Sequence, residues 1–207
     1  MTKAAGLLLA GGLARRMGGG DKGMRELGGV PILTRIIDRV RPQVGPLALN
    51  ANGDPARFAE FGLPVLPDAV DGFAGPLAGV LTGLEWAARE APDCEYLATF
   101  PTDAPFLPLD LVENLLSAVE QGGADMACAA SSGRDHPVVG LWPVDAAEEL
   151  RHAMVEEDIR KVDKWTSRYD LAVVHFSTHP VDPFFNANRP EDLAEAEELL
   201  AKLEDGS

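Results

Sequence analysis

Residues 4–23 have the sequence AAGLLLAGGLARRMGGGDKG, in which a short apolar run leads into a stretch rich in glycine and in basic residues. The apolar run is short enough for a buried strand. After it, Gly11 and Gly12 let the backbone turn tightly and present N–H groups to an anion, while Arg16 and Lys22 add fixed positive charge. This stretch therefore predicts a phosphate-binding loop after the first strand, in preference to a flexible surface connection.

Two well-known phosphate-binding motifs do not fit this loop. A P-loop needs a glycine directly before its lysine and a serine or threonine after it, whereas Asp21 precedes Lys22 and Gly23 follows it. The spacing of Gly18, Gly20 and Gly23 formally matches the dinucleotide-binding fingerprint. That fingerprint should open a helix directly after a strand, and here it begins about eight residues beyond the strand. The loop is therefore assigned to neither class.

Strand-like and helix-like segments alternate along the rest of the chain. Strands are predicted at residues 4–10, 46–52, 63–66, 95–101, 124–130, 137–142 and 171–176. Helices are predicted at residues 31–44, 54–61, 75–90, 109–121, 146–157, 160–167 and 190–203. Such alternation is typical of a largely parallel sheet covered by helices on both faces, a three-layer α/β fold. In such sheets, ligands bind beyond the carboxyl ends of the strands.

Length and charge limit the number of domains and the kinds of partner. The chain has 207 residues, a common size for one domain, and residues 1–207 are treated as such. The formal net charge is −15, but residues 1–41 carry +5, which leaves −20 for the remainder. An acidic body argues against general nucleic-acid binding, whereas a local basic patch suggests a small anionic ligand.

Several classes of protein and site are not expected. No apolar stretch approaches the roughly 20 residues that span a bilayer, and no targeting signal stands out, so we expect a cytoplasmic protein without a membrane partner. Cys94 and Cys128 lack metal-ligand spacing and are expected to be buried thiols. The histidines, His136 among them, show no zinc spacing. Ser131 has no nucleophile-elbow context, so serine hydrolysis is not expected.

A second informative stretch follows the predicted strand at residues 95–101. Residues 100–108 have the sequence FPTDAPFLP, which places Asp103 at a strand end between prolines. Magnesium usually takes one or two protein carboxylates plus waters and substrate phosphates, so we predict that Asp103 binds Mg²⁺. Capping of the helix that begins near residue 109 is disfavoured because the spacing is too long. Asp110 is interpreted as a first-turn residue of that helix.

Two asparagine pairs, Asn50 with Asn52 and Asn186 with Asn188, have the same spacing. Alternate residues of an extended segment face the same side, so each pair can present two amides to one ligand. Because an amide offers both donors and acceptors, it suits a base edge or a pterin ring. Turn formation is the alternative, and it stays open for Asn52 because Gly53 follows.

Taken in order, these motifs resemble those of the molybdenum cofactor guanylyltransferases (MobA family). The matching segments are residues 9–12, 16–19, 21–23, 50–52, 68, 75–79, 101–106, 136–142, 160–162 and 185–190. Many sugar-nucleotide transferases share the first block loosely, whereas the ordered set is specific and covers nearly the whole chain. The resemblance implies a Rossmann-like nucleotidyltransferase fold of the nucleotide-diphospho-sugar transferase type.

The resemblance also implies an activity and a site. The enzyme would transfer GMP from GTP to the terminal phosphate of molybdopterin, or of Mo-molybdopterin, and release pyrophosphate. Its amino-terminal half would bind GTP through Leu9, Ala10, Gly11, Lys22, Asn50, Asp68 and Asp103. Its carboxyl-terminal half would bind molybdopterin through Arg160, Lys161, Asn186 and Asn188. Molybdenum-insertion proteins and molybdoenzyme chaperones are expected partners.

Three residues are predicted to act in catalysis. The attacking phosphate of molybdopterin is already an anion at pH 7, so positioning and electrostatic stabilisation should dominate over general-base catalysis. Arg16 and Lys22 would stabilise the charge on the departing pyrophosphate. Mg²⁺ on Asp103 would bridge phosphate oxygens.

Two alternatives stay open at this point. One is a molybdopterin cytidylyltransferase or a sugar-phosphate nucleotidyltransferase of the same fold. The cytidylyl enzymes more often have alanine where this chain has Gly11, which favours GTP. The other alternative is a non-catalytic molybdopterin carrier, which would need neither Lys22 nor Asp103.

Overall fold

A computed structural model describes residues 3–10, 22–70, 72 and 75–205, and gives Lys22, Glu204 and Asp205 through their backbone alone. The strands are β1 (Ala4–Leu9), β2 (Glu26–Leu27), β3 (Val30–Pro31), β4 (Leu47–Asn50), β5 (Val65–Leu66), β6 (Tyr96–Pro101), β7 (Met126–Ser131), β8 (Arg134–Pro143) and β9 (Leu171–His175). The α-helices are α1 (Ile32–Val40), α2 (Pro76–Glu90), α3 (Leu111–Gly122), α4 (Ala147–Val155), α5 (Val162–Thr166) and α6 (Pro190–Asp205). Short 3₁₀ helices lie at Lys22–Met24, Arg41–Gln43, Pro55–Phe61 and Val144–Ala146.

The central sheet has the strand order β5-β4-β1-β6-β8-β7-β9, and β2 pairs with β3 in a separate ribbon. Neighbouring strands of the sheet are parallel except at β8, which is antiparallel to both β6 and β7. This confirms the largely parallel sheet predicted from the sequence. Strand β8 reverses direction because Ser132 (φ 50°) and Gly133 (φ 70°) form the turn after β7, and positive φ values favour a tight hairpin.

The predicted segments match the observed elements to within a few residues, with two differences. Strand β8 begins at Arg134, three residues before the predicted strand at residues 137–142. This extension was not predicted, because the polar residues at the start of the strand lack the apolar pattern of a buried strand. The ribbon of β2 and β3 was not predicted, since each strand has two residues and carries no usable periodicity.

The sheet separates two apolar cores, because alternate residues of a strand face opposite sides. In β1, Leu8 packs into a core shared with α1 and α3, whereas Leu7 packs into a core shared with α2 and α4. Helices therefore cover both faces, which gives the three-layer α/β/α arrangement. In the described part of the chain, no helix combines the length and apolar character that a membrane span requires.

Both cysteines are buried, and Cys94 belongs to the core shared with α2 and α4. Cys94 and Cys128 are buried and form no disulfide, as the sequence predicts. Burial raises the pKa of Cys128 to about 11, so this thiol stays protonated near neutral pH and is a poor nucleophile.

The pairing of Gly140 with Trp142 in β8 gives a stability prediction. Trp142 is fully buried and its Nε1 donates to Thr99 Oγ1 at 2.9 Å. A Cβ on residue 140 would overlap the Trp142 ring, and the ring has no free space to enter. We expect Gly140→Ala to lower the free energy of unfolding by about 1–3 kcal/mol, measured by urea denaturation.

Gly122→Ala is the matched control for this substitution. Gly122 is exposed at the end of α3, and a Cβ there would meet no atom within 4 Å. Its expected effect lies within about 0.5 kcal/mol. Equal stability of Gly140→Ala and the parent chain would contradict the overlap.

Candidate active site

The ends of β1 and β6 meet at the carboxyl edge of the sheet. Thr102 Oγ1 donates to the carbonyl oxygen of Leu9 at 3.3 Å. Gly23 lies against the same residue, since a Cβ on Gly23 would stand 3.3 Å from the Thr102 carbonyl oxygen. The residue after Lys22 therefore packs against the residue before Asp103, so two segments that the sequence assigns to phosphate and metal binding are adjacent.

The predicted phosphate-binding loop is described at its two ends. Gly11 and Arg16 lie outside the described residues, as does the side chain of Lys22. At one end, the Ala10 N–H donates to the Asn50 carbonyl oxygen at 2.9 Å, which ties the start of the loop to β4. The roles predicted for Gly11, Arg16 and Lys22 stay predictions.

Asn50, Asn52 and Asp68 form one hydrogen-bonded cluster at the ends of β4 and β5. Asn50 Nδ2 donates to Asp68 Oδ1 at 2.9 Å and to the Leu66 carbonyl oxygen at 3.1 Å. Asn52 Nδ2 donates to Asp68 Oδ2 at 2.7 Å, and the Asp68 N–H donates to Asn52 Oδ1 at 2.9 Å. The sequence predicts two amides that face one ligand, and in the structure both amides bond to the Asp68 side chain. Each carboxylate oxygen keeps a further lone pair for a ligand.

Gly79 in α2 makes room for this cluster. A Cβ on Gly79 would stand 2.5 Å from Asn50 Oδ1 and 2.5 Å from Leu9 Cδ2. One turn further along α2, Thr82 Oγ1 accepts from the Ala69 N–H at 2.8 Å. The amino-terminal half of α2 therefore holds both Asn50 and the segment that carries Asp68. Sequence reasoning noted Gly79 as part of a motif but gave no physical reason for it.

The segment with the second asparagine pair reaches Asp103. The Ala187 N–H donates to the Asp103 carbonyl oxygen at 2.9 Å. Asn186 is exposed and Asn188 is half-buried. The Asn188 N–H donates to Asp192 Oδ2 at 2.9 Å, which anchors the pair to the first turn of α6. The backbone between the two asparagines therefore lies against Asp103, and the molybdopterin-binding role of their side chains stays a prediction.

Arg160 and Lys161 lie on the other side of this edge, between α4 and α5. The Arg160 carbonyl oxygen would stand 3.6 Å from a Cβ on Gly75, the residue that precedes α2. The Arg160 Nε donates to Asp158 Oδ1 at 2.7 Å. Lys161 is exposed and precedes α5. The four predicted molybdopterin residues therefore come from two segments, one at the start of α2 and one at Asp103.

A carboxylate of α4 binds to α5, the helix that directly follows Arg160 and Lys161, and to the residues just after it. Glu149 accepts hydrogen bonds from Trp165 Nε1 at 2.6 Å, Tyr169 Oη at 2.7 Å and Arg168 Nη1 at 2.9 Å. Burial alone would raise the pKa of Glu149, but these three donors outweigh it and hold the pKa below its ordinary value. The carboxylate is therefore charged at neutral pH and ties α4 to α5.

Sequence reasoning missed a polar group at the far side of the edge. Ser131 Oγ lies 2.8 Å from His136 Nε2 and donates to Asp182 Oδ1 at 2.9 Å. The His136 ring packs on Phe184, with ring centroids 4.6 Å apart. Burial lowers the pKa of His136, which favours a neutral imidazole. The sequence separation of Ser131 and Asp182, 51 residues, left no local signal for this group.

Comparison with known proteins identifies a matching family model and relatives of similar sequence. Residues 6–198 match the family model of the MobA-like NTP transferase domain. The molybdenum cofactor guanylyltransferase of Rhodopseudomonas palustris (strain BisB5) is 59% identical over 196 residues, which cover 95% of this chain and 93% of that relative. The molybdenum cofactor guanylyltransferase of Bradyrhizobium sp. (strain ORS 278) is 58% identical over 200 residues, which cover 97% of this chain and 94% of that relative.

Two solved structures share the architecture. Molybdopterin-guanine dinucleotide biosynthesis protein A from Archaeoglobus fulgidus superposes with a TM-score of 0.75 at 22% identity, covering 96% of this chain and 99% of that one. The 4-diphosphocytidyl-2C-methyl-D-erythritol synthase from Anaerococcus prevotii DSM 20548 superposes with a TM-score of 0.73 at 12% identity, covering 96% of each chain. At these identities the likeness shows the fold, a Rossmann-like α/β fold shared with nucleotidyltransferases.

Proposed function

The chain belongs to the MobA-like NTP transferase family, and on that premise we propose that it transfers GMP from GTP to the terminal phosphate of molybdopterin. Pyrophosphate leaves and molybdopterin guanine dinucleotide forms. One observation carries the proposal: two segments converge on Asp103. Gly23, next to Lys22, packs against Thr102, and the Ala187 N–H donates to the Asp103 carbonyl oxygen. A nucleotide-side segment and an acceptor-side segment thus meet at the backbone of Thr102 and Asp103, beside the proposed metal ligand.

The cluster of Asn50, Asn52 and Asp68 supports guanine as the base. A carboxylate offers acceptors alone. Guanine presents two adjacent donors, N1–H and the N2 amino group, whereas cytosine presents one amino donor beside a ring acceptor. The fixed carboxylate of Asp68 therefore matches guanine better than cytosine. The two asparagine amides hold that carboxylate at 2.7–2.9 Å, so it needs no reorganisation when a base binds.

The donor set at Asp103 fits Mg²⁺. Within the described residues, no group of three or more histidine, cysteine, aspartate or glutamate side chains could hold a metal ion. The proposal for Asp103 is therefore a site with few protein ligands. Magnesium instead takes one or two carboxylates and completes its shell with waters and phosphate oxygens. Asp103 would hold the ion in this way, and the bound ion would supply Lewis-acid stabilisation of phosphate charge.

The chain's own contribution to the reaction is to hold two anions together. Lys22 and Arg16 would neutralise the triphosphate and the departing pyrophosphate, which also accounts for the basic character of residues 1–41. Asn186, Asn188, Arg160 and Lys161 would hold the acceptor. The expected place of action is the cytoplasm, with molybdenum-insertion proteins and molybdoenzyme chaperones as further partners.

A direct assay tests the proposal. Purified protein with Mg²⁺, molybdopterin and GTP should release pyrophosphate and form the guanine dinucleotide, detected by mass spectrometry. We expect kcat/KM for GTP to exceed that for CTP by at least about tenfold, which corresponds to 1.4 kcal/mol of discrimination. Preference for CTP would indicate a cytidylyltransferase. Binding of molybdopterin without pyrophosphate release from any nucleotide would indicate a carrier.

A further inference from the structure

The polar group at Ser131, His136 and Asp182 has a defined direction of hydrogen bonding. A serine hydroxyl has one hydrogen to donate. Asp182 Oδ1 accepts it, together with the Phe184 N–H at 3.0 Å. The Ser131 oxygen must then accept from His136, so Nε2 carries the imidazole proton. This series of hydrogen bonds, from His136 Nε2 through Ser131 to the Asp182 carboxylate, is called the Ser131 relay below.

The Ser131 relay fixes the tautomer of a neutral His136. With the proton on Nε2, Nδ1 keeps its lone pair and acts as an acceptor. Within the described part of the chain, Nδ1 has no hydrogen-bond partner. Ser131 is 2% exposed, so water does not compete for the relay. His136 itself is half-buried, which leaves part of the ring open to a ligand.

The position of His136 relates it to the acceptor side of the candidate site. The segment from Asp182 to Ala187 is bound to Ser131 at one end and to the Asp103 carbonyl oxygen at the other. Phe184, which packs on the His136 ring, precedes Ala187 by three residues, and three extended residues span at most about 11 Å. Strand β6 ends at this edge and the antiparallel strand β8 begins there. In their register Thr99 pairs with Gly140, and these two residues lie four residues before Asp103 and four residues after His136.

We propose that His136 binds the acceptor, its Nδ1 accepting a hydrogen bond from an N–H group of the acceptor's nitrogen heterocycle, and that Ser131 and Asp182 are positioning residues that set its tautomer. The inference rests on the proposed function, because it takes the acceptor to be a pterin. A neutral acceptor atom suits a ring N–H or an amino group. It does not suit the acceptor's phosphate, which offers no proton near neutral pH.

Two substitutions of His136 separate ligand binding from a purely structural role. In His136→Gln, the terminal amide nitrogen can replace Nε2 and keep the bond to Ser131, but the group at Nδ1 is lost. In His136→Asn, the shorter amide places a polar atom near the Nδ1 position and loses the bond to Ser131. Molybdopterin affinity is measured directly by pterin fluorescence, so the readout does not require turnover.

We expect His136→Gln to raise the Kd for molybdopterin about three- to tenfold, with a smaller rise for His136→Asn and an unchanged Kd for GTP. His152→Gln, an exposed site, is the control and should match the parent. A parent-like Kd in His136→Gln would overturn the proposal, as would failure of the parent to bind molybdopterin. Binding without GMP transfer in the parent would instead count against the proposed function.

The positioning role has a spectroscopic signature of its own. Nitrogen-15 NMR of histidine-labelled protein, assigned by comparison with His136→Gln, should show Nε2 protonated and Nδ1 unprotonated in the parent near neutral pH. Ser131→Ala removes the acceptor for Nε2–H and should give a mixture of tautomers. A parent His136 with its proton on Nδ1 would overturn the assignment of the relay.

Discussion

Replacement of Asp103 by asparagine is expected to lower the rate of GMP transfer by about 10²–10³-fold, the usual cost of removing a preorganised charge contact. The amide keeps the shape of the side chain but loses the negative charge that would hold Mg²⁺. The fold should persist, because the contact that anchors the acceptor segment uses the Asp103 carbonyl oxygen, which accepts from the Ala187 N–H.

The measurement is kcat for pyrophosphate release at saturating GTP and molybdopterin, over a range of Mg²⁺ concentrations. Asp110→Asn is the matched control, since Asp110 is exposed and its side chain makes no cap hydrogen bond to α3. The control should retain the parent rate. A near-normal rate in Asp103→Asn would remove Asp103 from the metal role, and an equal loss in both variants would point to a general effect of charge.

The fold could be predicted from sequence because its signals are local. The run at the start of the chain is apolar at every position of β1, as expected for a strand buried on both faces. Proline or glycine marks the start of α2 and the end of α3. The start and the direction of strand β8 were harder to predict. Its first residues lie outside the apolar pattern, and its direction depends on the backbone φ angles of Ser132 and Gly133.

The sequence predicts residues for the candidate site but not the contacts among them. The spacing of Asn50 and Asn52 predicts that they face one ligand, but not that both bond to Asp68, which lies 18 and 16 residues away along the chain. The relay through Ser131 needs Asp182, which arrives with a loop from another part of the fold. Each of these contacts depends on which strands become neighbours, a long-range property that residue spacing does not encode.

The contact between Gly79 and Asn50 leads to the last prediction, a loss of GTP affinity from a substitution in a helix. In Gly79→Ala, the new Cβ would stand 2.5 Å from Asn50 Oδ1, so the amide must shift. Because Asn50 is 2% exposed and bonded to Asp68, a shift breaks the cluster proposed to bind guanine. We expect the Kd for GTP to rise about 10- to 100-fold, measured by calorimetry, together with a lower Tm.

Gly83→Ala distinguishes this effect from a general loss of packing. Gly83 lies one turn further along α2, and its Cβ would stand 2.6 Å from Leu7 Cδ2 and 2.7 Å from Leu97 Cδ2. Both variants overfill the same helix–sheet interface, so both should lower Tm. The Gly83 contacts are apolar and do not include Asn50, so GTP affinity should stay near that of the parent. If both variants weakened GTP binding equally at a temperature where each is folded, the loss would follow from overpacking of α2, and Asn50 would have no separate part in holding the base.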